Sequence, residues 1–211
     1  MALWAVFLAL FVLAAAAASA HASSGGGTIS PGGATTSDTA PFGTRVLTKG
    51  MEGSDVQILN GIVKSKPYAS GVRLTDLFAT PTASAVRTFQ NDAGLPSNGV
   101  VGPATSTALV RSMPRAGATW YGPGFYGKQT ACGRTLTQTT IGVANKTLPC
   151  GTKVTFAYHG HYAIAPVIDR GPYTAGYSFD LTSATAQALG FKASGDLRFS
   201  VAHRGSDARL P

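Results

Sequence analysis

Near residues 112–117, SMPRAG, the chain changes from one apolar pattern to another, and this break limits the fold to two small modules of different class. Upstream, apolar residues recur at helical spacing behind residues that cap helices. Downstream, short runs rich in Val, Ile, Tyr, Phe and Thr are cut by Gly and Pro. Each block is small for a domain, yet each has apolar residues of its own to bury.

Residues 45–111 read as a helical module. Asp55 is placed to cap a helix with Val56, Ile58 and Leu59 on its apolar side. Thr82 is placed to cap a second, with Ala85, Val86 and Phe89 on one face and Gly94 just past its end. Pro103 sits where the first turn of a third helix begins, leading to Leu109 and Val110. Residues 112–117 read as a linker.

Residues 118–203 read as strands and turns. ATWYGPGFYG, TKVTFAYHGHYAIAPVIDRG and DLRFSVAH are the strand-rich runs, and YHGHY, with His159 and His161 flanking a Gly, marks a hairpin turn. One helix interrupts them, capped by Thr182 and closed by Gly190. Many short strands with a single helix predict a small closed barrel, which leaves no open sheet edge. Residues 204–211 form a tail.

The amino end is of another kind. MALWAVFLALFVLAAAAASA is almost wholly apolar, and Ala20-His21-Ala22 follows the small-x-small rule of a processing site, so residues 1–22 are expected to be a signal peptide. No Lys or Arg precedes the apolar run, and its length also suits an uncleaved anchor; the Ala-rich end favours cleavage. Residues 23–44, rich in Gly, Ser, Thr and Pro, read as a flexible linker. The expected location is therefore secreted or cell envelope. The formal net charge of +8 lies wholly beyond residue 22. Export and the scatter of the basic residues exclude nucleic acid and favour an anionic wall polymer or membrane surface.

Two acids stand out in VIDRGPYTAGYSFD. Asp169 and Asp180 each follow an apolar residue, with Gly171, Pro172 and Gly176 between them. A strand that ends on one carboxylate, turns, and re-enters on a second places both beside one cleft; the competing reading is that each caps a turn. Cys132 and Cys150 are an even pair in an exported chain, which predicts a disulfide. A cysteine nucleophile would need one thiol free beside a base. His159 and His161 have no further ligands at metal spacing, so neither metal nor cofactor is expected.

The first block resembles the three-helix peptidoglycan-binding module of bacterial wall hydrolases. The resemblance rests on Gly50, Gly53, Asp55-Val56, Thr82, Ala85-Val86, Phe89-Gln90, Gly94-Leu95 and Gly99-x-x-Gly102-Pro103-x-Thr105. An insertion around Lys64–Thr75 and Asn98, where an acid is usual, depart from that pattern.

WYGPGFYG, TACG, KTLPCGTKV, VIDRGP and FDLTSATAQALGF resemble the rare lipoprotein A family, a six-stranded double-psi β-barrel shared more distantly with expansins and membrane-bound lytic transglycosylases. The implied architecture is two-domain α + β, a helical wall-binding module followed by a mainly-β barrel. The implied partner is the peptidoglycan glycan strand, held by a monomer. By this resemblance Asp180 matches the acid/base of a lytic transglycosylase and Asp169 its partner. Trp120, Tyr121 and Arg170 fall at substrate-binding positions. Arg134 stands where a Glu is usual and Asn145 where a His is usual, and a cation at Arg134 is expected to work against a protonated acid. Two functions of different class therefore follow: a lytic transglycosylase, or a non-catalytic, expansin-like protein that binds or loosens the wall.

Overall fold

The computed structural model describes residues 40–202, so the signal segment, most of the 23–44 linker and the 204–211 tail lie outside the described residues. Three helices come first: α1 (Ser54–Val63), α2 (Thr80–Asp92) and α3 (Pro103–Arg111). Pro103 opens α3 as expected, since its missing N–H costs nothing in a first turn. Gly94, at φ +66°, closes α2, and the Leu95 N–H returns to Gln90 O at 2.8 Å.

Two expected caps are something else. Gly53 occupies the cap position of α1, while Asp55 lies inside the first turn with its side chain fully buried. Its carboxylate accepts from Arg45 at 2.7 and 2.9 Å, which compensates the burial of the charge. Ala79 caps α2, because Pro81 presets the first turn ahead of Thr82. The Thr82 hydroxyl donates to Asn60 Oδ1 at 2.7 Å and so ties α2 to α1.

The second block closes into a barrel of six strands: β1 (Arg115–Tyr121), β2 (Val143–Ala144), β3 (Lys153–Tyr158), β4 (His161–Asp169), β5 (Phe179–Thr182) and β6 (Gly195–Val201). Around the barrel the order is β1-β5-β2-β4-β3-β6, with β1–β5 and β2–β4 parallel and the other pairs antiparallel. His159 and Gly160, both at positive φ, make the two-residue β3–β4 turn. Phe156, Phe179, Val154, Val167, Leu181 and Leu197 fill the interior. A short helix, α4 (Ser183–Ala188), is capped by Thr182, whose hydroxyl accepts from the Thr185 N–H at 3.3 Å. The strand begins before the 118 boundary drawn from sequence: Arg115–Gly117 pair with β6 and are not linker.

The two blocks share a core. Ala157 of β3 belongs to the same buried apolar cluster as the helices, with Tyr162 and Ile164 packed against it. Ser200 Oγ donates to Gly61 O at 2.8 Å, and Arg198 donates to the carbonyls of Arg111 and Met113 at 2.9 and 2.8 Å. Phe42 is buried edge-on against Tyr162 at 5.6 Å, so the last residues of the 23–44 linker are anchored by its one ring.

Gly61 marks the closest approach of α1 to the barrel: a Cβ there would overlap Thr155 Oγ1, and Thr155 is itself buried. Helix propensity alone makes Gly61→Ala stabilising by about 1 kcal/mol. The overlap reverses the sign, with overpacking costing about 1–3 kcal/mol. Thermal unfolding of Gly61→Ala is therefore expected below the wild-type midpoint. A raised midpoint would show that α1 does not press on β3.

Candidate active site

Strand register gathers the two acids. Ala144 of β2 pairs with Asp169 on one side and with Asp180 on the other, so β2 is the only strand between them. β4 ends on Asp169 and β5 carries Asp180, the strand–turn–strand arrangement expected from the motif. Phe179 and Leu181 are buried in the barrel core, which leaves Asp180 on the alternate face.

Asp180 is half-buried and accepts a hydrogen bond from Thr119 Oγ1 at 2.7 Å. Burial pushes its pKa above the ordinary carboxylate value; the Thr119 bond opposes this, and the charge of Asp169 adds to the upward shift. Asp169 Oδ1 accepts from the N–H groups of Ala131 and Arg170, both at 2.8 Å. One carboxyl is thus biased toward holding its proton, and the other is cradled by main-chain donors.

Tyr121 lies two residues beyond Thr119 on β1, hence on the same face. Its hydroxyl is buried and makes no hydrogen bond of ordinary geometry. It is still near enough to the acids that burial first, then the charge of Asp169 and the lean of the hydroxyl toward its carboxylate, then the charge of Asp180 hold the phenol far up in the protonated form. Its ring meets Phe125 edge-on at 6.1 Å, and Phe125 is half-exposed with the Lys128 ammonium 5.3 Å from its centroid. The 122–130 loop can lie this close to α4 because residue 122 is Gly: a Cβ there would press on Tyr126 Oη and Ser183, which hydrogen-bond to each other at 2.8 Å.

The other expected site residues are not gathered in the same way. Trp120 alternates to the opposite face of β1 from Thr119 and Tyr121. It is 40% exposed, with its indole N–H toward Lys192 O at 3.4 Å. The Arg170 guanidinium is turned to the 145–150 loop, donating to Asn145 O, Leu148 O and Cys150 Sγ at 3.2, 3.0 and 3.3 Å. It holds a loop beside the acids. Cys132 and Cys150 form the expected disulfide.

Arg134 has an exposed side chain, and the groups that shift Asp180 are its burial, Thr119 and Asp169. Arg134 is not among the groups that shift Asp180. Asn145 is buried and serves the architecture of the loop. Its Oδ1 accepts from the N–H groups of Thr147 and Leu148 at 3.0 and 2.7 Å, and its Nδ2 donates to Ser178 O at 3.0 Å. It splints the turn ahead of Cys150 to the entry of β5.

Sequence reasoning missed Thr119 and the Ala131 N–H. Thr119 sits at alternate spacing from Tyr121 in ATWY, but only the parallel β1–β5 register brings it to Asp180. A main-chain donor leaves no trace in residue type.

Residues 114–201 match the family described as "Lytic transglycolase", and residues 52–109 match the one described as "Putative peptidoglycan binding domain". The "Probable endolytic peptidoglycan transglycosylase RlpA" of Synechocystis sp. is 39% identical over 92 residues, which cover 43% of this chain and 29% of that protein. The "Endolytic peptidoglycan transglycosylase RlpA" of Campylobacter jejuni is 41% identical over 80 residues, covering 37% of this chain and 29% of that protein. The aligned part of this chain therefore spans less than a third of either relative. Among solved structures, the SleB N-terminal domain aligns at 32% identity and a TM-score of 0.32, over 34% of this chain and 96% of that one.

Proposed function

We propose that this chain, which joins a double-psi β-barrel of the rare lipoprotein A type to a peptidoglycan-binding domain, is a cell-envelope protein that cleaves peptidoglycan glycan strands as a lytic transglycosylase. The observation that carries this reading is the pair of carboxyls flanking β2, one of them, Asp180, pushed up by burial and by the other. The helical module, packed against the barrel, holds the substrate polymer. The amino-terminal apolar segment directs export.

In this mechanism Asp180, protonated, gives its proton to the glycosidic oxygen as the bond to the anomeric carbon breaks. The resulting Asp180 carboxylate then takes the proton of the C6 hydroxyl as that oxygen closes on the same carbon, leaving a 1,6-anhydro end. No water is consumed, and one carboxyl serves as acid and then as base. Asp169 stays anionic on its two main-chain donors. Its charge both raises the proton affinity of Asp180 and opposes the positive charge that develops on the sugar ring.

The test is product analysis. Purified protein incubated with peptidoglycan sacculi is expected to release anhydro-muropeptides detectable by mass spectrometry. Sacculus binding with no such product would favour the expansin-like, non-catalytic alternative. Reducing-end products without the anhydro bond would replace the mechanism by hydrolysis.

A further inference from the structure

The hydroxyl of Tyr121 is the one buried side-chain N or O atom among the described residues that makes no hydrogen bond of ordinary geometry. Leaving a buried hydroxyl unpaired is costly, and a Phe of the same shape would avoid that cost. The groups around it explain its presence. Asp169 at the end of β4 and Asp180 on β5 are the charges that act on it. Arg170 is turned to the 145–150 loop, Lys128 lies over Phe125, and Thr119, the remaining neighbour on β1, is committed to Asp180.

The acid step creates a demand at this spot. Before it, the pair carries one negative charge, on Asp169. After Asp180 gives up its proton, two carboxylates share the site, and only Thr119 donates to the new one. An O–H that leans toward Asp169 without closing a hydrogen bond of ordinary geometry can turn to Asp180 when that carboxyl takes up charge.

We propose that Tyr121 is a positioning residue of the acid pair, its hydroxyl a shared donor that turns between Asp169 and Asp180 as the charge on Asp180 changes. The phenol is never ionised in this role; burial and both acids keep it protonated across the working range. The proposal rests on the transglycosylase reading for its catalytic consequence, but not for its effect on the carboxyls.

Tyr121→Phe tests it, since the ring and its contact with Phe125 are retained. The variant is expected to unfold close to the wild-type midpoint, because the hydroxyl closes no hydrogen bond of ordinary geometry. Its kcat is expected to fall about 10-fold or more, the scale of one hydrogen bond to a charged group, with KM and sacculus binding little changed. Loss of a donor to its charged form raises the pKa of Asp180, so the alkaline limb of the pH–rate profile moves to higher pH. Wild-type kcat and an unmoved limb would overturn the proposal. If the wild type itself yields no anhydro product, the functional reading fails separately. The carboxyl-carbon NMR titration of Asp180 then decides: an upward shift in Tyr121→Phe supports the shared donor, and an unchanged titration refutes it.

Discussion

Replacing Asp180 by Asn is expected to lower the release of anhydro-muropeptides by at least about 100-fold, the usual scale for loss of a general acid/base. The substitution keeps the size of the side chain and an acceptor for the Thr119 hydroxyl, so the 2.7 Å bond between β1 and β5 survives. Stability and sacculus binding should stay close to wild type. A variant that binds normally yet keeps more than a tenth of its turnover would remove Asp180 from the chemistry.

Asp169→Asn carries a signed prediction. The charge of Asp169 is one of the causes that raise Asp180, so a neutral side chain lets the pKa of Asp180 fall. The acid must be protonated to act, and activity is lost as pH rises through that pKa. The alkaline limb of the rate profile therefore moves to lower pH in Asp169→Asn, the opposite of its shift in Tyr121→Phe. An unmoved limb would mean that Asp169 does not act on Asp180 through charge.

How much of this was legible depends on whether a feature is local. Pro103, Gly94, Gly190 and the Thr182 cap were readable because each does its work within one turn of its own position. Asp55 and Thr82 carry the right chemistry for caps but are one or two residues inside their helices, where tertiary partners claim them: Arg45 for one, Asn60 for the other. Strand β2 has only Val143 and Ala144, too short to show any alternation, yet it is the strand that separates the two acids.

The site divides in the same way. The two aspartates were visible in one motif because the β4–β5 connection is short. Their neighbours come from β1 and from the Ala131 main chain, which only the closed barrel brings near. Arg134 and Asn145 stand where a Glu and a His are usual, which by sequence fits either a damaged or a rebuilt loop. In the fold Arg134 faces solvent, and Asn145 is a splint whose amide bonds to Thr147, Leu148 and Ser178.

The loop that carries Arg134 and Asn145 is closed by the disulfide, and opening it should cost both stability and turnover. Cys132 and Cys150 are 18 residues apart, and a loop of that size is worth about 3 kcal/mol in the chain-entropy estimate. In a domain of this length that corresponds to a drop of about 6–12 °C in the unfolding midpoint. The local effect is more specific. Ala131, next to Cys132, donates to Asp169, and the Cys132 N–H donates to Ile168 O at 3.1 Å. On the other side Arg170 fastens Leu148 O and Cys150 Sγ. The bond thus fixes the two loops that flank the strand end bearing Asp169. Cys132→Ala/Cys150→Ala, assayed at a temperature where circular dichroism shows it folded, is expected to lose turnover while still sedimenting with sacculi, because the helical module lies outside the bridged loop. Full turnover in the folded double variant would confine the disulfide to a stabilising role.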